Sequence, residues 1–187
     1  MNNSEETKKK LQSASASASV TNIYDGELIS VVKYRVSDHT YECVLHPQAV
    51  TMIPQTKDGK LIFVKQYRYP VDQIMLEFPA GNMFPNEDPF IAANRELQEE
   101  IGFRAETLIL LESIFSSPGF CNEYLHIFLA KDLKESAFIA EDTFEIDIVE
   151  LALDEVYTKI KNHEIIDAKT LCGILLFENW RKENSKL

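Results

Sequence analysis

Cysteine is scarce in this 187-residue chain. The three present, Cys43, Cys121 and Cys172, form no CxxC pair and no zinc-ligand spacing. That excludes a disulfide framework and a zinc ribbon, and it leaves free thiols of a reducing compartment. Long apolar runs are missing too. Nothing approaches the ~20 residues that span a bilayer, and the N-terminus lacks the apolar core of a signal peptide, so the expected location is cytoplasmic. Positive charge is in short supply: 19 Lys and Arg face 30 Asp and Glu, a net charge of −11. Without a local basic patch such a surface repels nucleic acid and anionic lipid, which excludes both as partners. An acidic protein acting on an anionic substrate needs divalent cations between the two. The histidines (His39, His46, His126, His163) share no ligand spacing, and surface or core positions are expected for each. Internal repeats and interior low-complexity linkers are also absent. What is there is ordinary for a globular protein: 45% hydrophobic and 26% charged residues, enough to bury the core of one domain, or of one domain with a small appended element.

Residues 1–19 are polar and repetitive, with Lys8-Lys9-Lys10 and then alternating Ser and Ala. Such a stretch buries too little apolar surface to offset its ordering entropy and is expected to be a disordered tail. Residues 20–46 form an N-terminal β element: Ile29–Val36 and Thr40–Leu45 are rich in β-branched and aromatic residues. Residues 47–182 form the main domain. Strands are expected at Ala49–Pro54 and Leu61–Arg68, joined through the Asp58-Gly59 turn, and at Ile74–Phe78, ended by Pro79-Ala80-Gly81. A helix follows, with Asp88 as N-cap, Pro89 at its first position and Gly102 as its stop. Phe90, Ile91, Ala93 and Leu97 favour one face of it. Strands resume at Thr107–Phe115, Glu123–Ala130 and Glu145–Leu151. A helix over Ala152–Asn162 is expected to be capped at Asp154 or before it. A last helix runs from about Asp167 to Trp180, with Ala168, Leu171, Cys172, Leu175 and Leu176 inward and Trp180 in a packing role. The order of elements indicates an α+β or α/β domain.

The stretch with chemical content is Gly81–Phe103. Glu96, Glu99 and Glu100 lie at i, i+3 and i+4, which stacks their carboxylates along one face of the helix. Like charges there destabilise an isolated helix, and Glu-rich faces are commonly just solvated. The cost becomes sensible where a hard divalent cation sits on that face, because Mg²⁺ takes carboxylate oxygens and coordinates substrate phosphates. Arg95 can reach Glu99 one turn on, or Glu87 in the preceding loop, and either pairing braces the carboxylates.

The full spacing decides between these readings. Gly81, five residues, Glu87, seven residues, then Arg95-Glu96-Leu97-Gln98-Glu99-Glu100-Ile101-Gly102-Phe103 resembles the Nudix box at every defined position. Chance agreement at these positions is on the order of 10⁻⁹ per window at average residue usage. The chain also resembles the ADP-ribose pyrophosphatase branch of that family, across residues 24–178. The resemblance rests on Val64–Pro70, on Leu76–Gly81, on Ser117–Glu123 with its proline 15 residues beyond the box, and on Ile165–Thr170.

The resemblance implies an α/β/α sandwich with a mixed β-sheet, plus the small antiparallel element in front. It implies Mg²⁺- or Mn²⁺-dependent hydrolysis of ADP-ribose or a related nucleoside diphosphate sugar to AMP and ribose 5-phosphate, with two to three ions per site. Glu96, Glu99, Glu100 and the Ala80 carbonyl match the metal ligands, while Glu87 and Arg95 match the brace. Gly81 and Gly102 match the turn positions. A carboxylate from a later loop would take the proton of the attacking water: Glu145 first, with Glu141 and Asp142 as candidates. Arg68, Gly119 and Glu123 are expected at the substrate, and Glu77 behind it. Tyr24 or Tyr34 could stack on adenine, though strand aromatics usually pack. The branch usually forms a homodimer that exchanges N-terminal strands. GDP-mannose is the rival substrate, and a non-catalytic nucleotide-sugar-binding regulator is the rival class. Such regulators generally lose box glutamates or the brace arginine, and all are present here.

Overall fold

The computed structural model describes residues 18–136 and 146–184, which fall into two units. The first comprises residues 18–47 and 117–123. Its strands β1 (Ser19–Asp25), β2 (Ser30–Val36) and β3 (His39–Leu45) form one antiparallel sheet in that order. β2 and β3 meet in a tight hairpin, with Val36 paired to His39 and Ser37 at φ 54°. The sequence pattern does not announce β1, because its apolar residues Val20, Ile23 and Tyr24 are all exposed and a register shift between Asn22 and Tyr24 breaks the alternation. Residues 117–123 join this unit through the backbone: Val44 N–H donates to Phe120 O (2.7 Å), Asn122 N–H to Val44 O (3.2 Å), and His46 N–H to the Asn122 side chain (2.7 Å).

The second unit holds β4 (Ala49–Pro54), β5 (Leu61–Arg68), a 3-10 turn at Tyr69–Val71, β6 (Gln73–Glu77), β7 (Ala80–Asn82), α1 (Pro89–Ile101), β8 (Phe103–Phe115), β9 (Tyr124–Glu135), β10 (Asp147–Leu151), α2 (Leu153–Lys161) and α3 (Ala168–Asn184). One sheet has the order β7-β4-β9-β8, with β4 parallel to β9, and the other the antiparallel order β10-β5-β6. Every residue of β4 is buried, as expected of a strand covered on both faces. Alternation sorts these side chains into two cores. Val50, Met52, Ile62 and Val64 pack with Ala92, Ala93, Leu97 and Ile101 of α1. Ile53, Leu61 and Phe63 pack with Val156 of α2 and with Ile174 and Phe177 of α3. The result is α+β, with helices on either side of mixed strands. No helix among the described residues is long and apolar enough to cross a membrane.

The boundaries of α1 follow its local chemistry. The Asp88 carboxylate accepts the Phe90 N–H at 2.8 Å and the Ile91 N–H at 3.4 Å, Pro89 needs no acceptor, and Gly102 takes the left-handed conformation at φ 73°. Several expectations are corrected. Phe90 and Ile91 are exposed, and the buried face of α1 is Ala92, Ala93, Glu96, Leu97 and Ile101. In α3 the buried residues are Thr170, Gly173, Ile174 and Phe177, with Ala168, Cys172 and Leu175 outside. That helix carries apolar residues around much of its circumference, so periodicity could not choose the face. The cap of α2 falls at Ala152, before Asp154 as expected, and Glu155 closes the first turn by accepting the Ala152 N–H at 2.8 Å. Ala80–Asn82 is a strand paired with Ala49–Thr51 rather than a turn. β8 begins at Phe103, directly after Gly102, and β9 runs on to Glu135.

Candidate active site

The site forms where α1 lies against β7. The apolar stripe of α1 turns inward, and the next positions round the helix bring Glu96 and Glu100, one turn apart, to the strand. Glu96 fits there because residue 81 has no side chain. A Cβ on Gly81 would stand 1.9 Å from Glu96 Cδ. This glycine lies in a strand outside the positive-φ region, so its role is clearance rather than a turn. Glu100 Oε2 accepts the Ala80 N–H at 3.1 Å.

The electrostatics follow from burial. Glu96 is only 8% exposed, and desolvation pushes its carboxyl upward. Glu100 is pushed up to about 8, by burial first and by the Glu96 charge second; the Ala80 N–H and Arg68 oppose the rise. Arg95 answers both alternatives left open by spacing. Its Nε and Nη2 each donate to Glu87 at 2.9 Å, its Nη1 donates to Glu96 at 2.5 Å and Glu99 at 3.1 Å, and Nη2 also reaches the Asn82 carbonyl at 2.9 Å. The guanidinium lies over the Phe84 ring, 4.3 Å from its centroid. Held by Arg95, Glu87 stays below the usual carboxylate range. Loop, strand and helix are thereby locked at one point.

The carboxylate set fits a hard cation in part. Among the described residues no three Asp, Glu, His or Cys side chains converge into a closed cage. Glu96, buried, and Glu100, half-buried, however, lie one turn apart with the Glu96 charge raising Glu100, and a divalent cation offsets that repulsion with the oxygen chemistry it prefers.

Arg68, at the end of β5, donates from Nε to Glu77 Oε1 at 2.7 Å, and its two terminal amino groups take part in no hydrogen bond among the described residues. Glu77 is 1% exposed and carries a second cation on Oε2, Lys169 at the start of α3. Sequence reasoning assigned no role to Lys169, Asp167 or Thr170, although the Asp167-x-x-Thr170 spacing is that of a helix cap. Gly119 and Glu123 belong to the first unit. There Glu123 lies 3.7 Å from His46 Nδ1, and its N–H meets Cys121 Sγ at 3.4 Å. Gly119 is exposed and open. Tyr24 and Tyr34 are in that unit as well, on β1 and β2. Trp180 packs beside Phe177. His126 bridges Ser113 and Gln48 at 2.9 Å each. Glu141, Asp142 and Glu145 lie outside the described residues.

Comparison with known proteins agrees with this geometry. A family model described as the NUDIX domain matches residues 45–173. A Bacillus methanolicus protein named methanol dehydrogenase activator is 41% identical over 136 residues, 71% of this chain and 73% of the relative. A Bacillus subtilis protein named ADP-ribose pyrophosphatase is 38% identical over the same shares of each chain. Among solved structures, one described as an ADP compounds hydrolase superposes with a TM-score of 0.79, covering 90% of this chain and 95% of the other at 24% identity, a likeness of fold.

Proposed function

The chain belongs to the Nudix family, and from that premise we propose that it hydrolyses the diphosphate bond of ADP-ribose, or of a closely related nucleoside diphosphate sugar, to AMP and ribose 5-phosphate. The observation that carries the reading is the pair of buried Glu96 and half-buried Glu100, with Glu96 cleared by Gly81 and braced by Arg95. The name of the 38% identical relative supplies the substrate class.

Glu96 and Glu100, joined by Glu99 and the Ala80 carbonyl, would hold two to three Mg²⁺ or Mn²⁺ ions, whose charge would neutralise the diphosphate and lower the pKa of an attacking water. The chain's own residues do the rest. Arg95 and Glu87 keep α1 and β7 in register, so the carboxylates need no reorganisation when substrate arrives. Arg68 presents its terminal amino groups, unengaged among the described residues, to phosphate oxygens, a geometry suited to a planar fork. Glu145 accepts the proton as water adds to phosphorus and the bridging P–O bond breaks. Glu123 hydrogen-bonds the terminal ribose as acceptor, and Gly119 is a further substrate-binding residue. Residues 47–182 carry the chemistry, residues 20–46 the contact of a homodimer, and the protein works in the cytoplasm.

The test is a panel of ADP-ribose, GDP-mannose, NADH and diadenosine compounds with Mg²⁺ or Mn²⁺, reading phosphate after coupled phosphatase treatment. ADP-ribose is expected to be consumed fastest. Preference for GDP-mannose moves the substrate within the same chemistry. No consumption of any compound overturns the reading in favour of a binding protein.

A further inference from the structure

The Ile165–Thr170 stretch is the one sequence resemblance to which the site gives no role, and it ends in a connected polar network of the second unit. Glu77 is 1% exposed, and a buried carboxylate calls for a compensating cation. It has two, one on each oxygen: Arg68 Nε on Oε1 at 2.7 Å and Lys169 Nζ on Oε2. Lys169 is held in turn by Asp167 Oδ2 at 3.0 Å. The same Asp167 oxygen caps α3, accepting the Thr170 N–H at 3.0 Å and its hydroxyl at 2.6 Å. The Thr170 oxygen accepts the Phe78 N–H at 2.9 Å. The first turn of α3 therefore grips two consecutive residues at the end of β6, Glu77 by its side chain and Phe78 by its backbone. Two residues further on, Ala80 N–H meets Glu100.

We infer that Lys169 is a positioning residue for Arg68, acting through Glu77 so that the guanidinium stays in place yet remains available to a substrate phosphate. The inference deepens the proposed function and rests on its assignment of Arg68. The reasoning is one of competition. A buried carboxylate and an incoming phosphate both attract the same guanidinium. With Lys169 on Oε2, Glu77 is already half-compensated and needs only Nε of Arg68, which leaves both terminal amino groups unengaged among the described residues. Without Lys169, Arg68 is the sole cation on a buried charge and is drawn into a bidentate grip on it. Arg68, Lys169, Glu77 and Asp167 together sum to zero formal charge, so the cluster adds no net charge against substrate.

Steady-state kinetics on the full chain with ADP-ribose and Mg²⁺ test this, alongside thermal melting. Lys169→Met is expected to raise KM about ten-fold while changing kcat less, Lys169→Arg to restore most of that KM, and the effect to vanish in an Arg68→Ala background. If Lys169→Met does not fold, Lys169→Gln, which keeps a hydrogen-bond donor beside Glu77 but removes the charge, is expected to raise KM in the same direction. A lowered melting temperature with unchanged KM assigns Lys169 a purely structural staple and overturns the inference, as does a KM effect that persists without Arg68. Wild-type protein that consumes no nucleotide sugar overturns the functional reading and this inference together.

Discussion

Two residues concentrate the physics of the site. Gly81 makes space and Glu100 stores repulsion. A methyl at position 81 would stand 1.9 Å from Glu96 Cδ, so in Gly81→Ala the carboxylate must leave its place while the backbone, outside the left-handed region, is unstrained. We expect Gly81→Ala to keep its far-ultraviolet spectrum and to lose about a hundred-fold or more in kcat/KM for ADP-ribose. For Glu100 the measurement is stability against pH in the metal-free protein. Its folded-state pKa of about 8 lies above the ordinary 4.5, so between those values the native state holds more protons than the unfolded chain. The contribution is fully favourable below the ordinary value and is lost as pH rises through the folded one. Denaturant titrations in EDTA should show stability falling between about pH 5 and 8, by up to about 5 kcal/mol from this group. Glu100→Gln should flatten the decline, and Mg²⁺ should reverse it at the alkaline end. A flat profile in the wild type would mean that the pair is not repelling.

Among the elements, α1 and α3 contrast in how sequence specifies them. The ends of α1 are set by local groups, Asp88, Pro89 and Gly102, each acting within its own turn. The orientation of α3 is set from outside, by what the sheet offers. Gly173 faces Phe78, and a Cβ there would lie 3.2 Å from two ring carbons and 3.4 Å from Ile53 Cδ1. Phe78 stacks on Phe63 at 4.5 Å between centroids and has little room to yield. Gly173→Val is therefore expected to destabilise by about 1–3 kcal/mol through overpacking, read as a shift of the urea midpoint. Cys172→Val, on the exposed side of the same helix, should stay within about 0.5 kcal/mol. Equal costs at the two positions would put the helix face in error.

At the scale of the whole molecule, the feature that asks for a partner is the sheet of the first unit. β1 is exposed along its length, and Val20, Ile23, Tyr24 and Tyr41 are all more than half exposed. A three-stranded sheet with apolar residues open to water gains by being covered, and a second copy of the chain is the occupant that the proposed function names. Sedimentation equilibrium is expected to return twice the mass of one chain, and Ile23→Glu to shift it toward one. A wild-type monomer at working concentrations would remove the dimer from the account. Net charge belongs to this scale too. At −11 the chain repels its own substrate class at long range, so turnover should respond to free divalent cation more steeply than filling of the site alone requires.

Some of this was written in local sequence. The box spacing placed Glu96 and Glu100 on one helix face because helical periodicity is a short-range rule, and Asp88 and Gly102 marked the helix ends because capping is decided within a turn. Burial was not local. The same apolar residues of α3 could have faced either way, and only packing against Ile53 and Phe78 selected Gly173, Ile174 and Phe177. The role of Gly81 was equally invisible, since a glycine that yields space to a side chain fifteen positions later looks like one that turns the chain. Glu77 and Lys169 are 92 positions apart. Nothing in either neighbourhood indicates the other, because an ion pair is chosen by which strand end and which helix start the fold brings together. Sequence by itself determined which chemistry the chain can perform. Tertiary structure decided which charges are buried, and therefore which must be compensated.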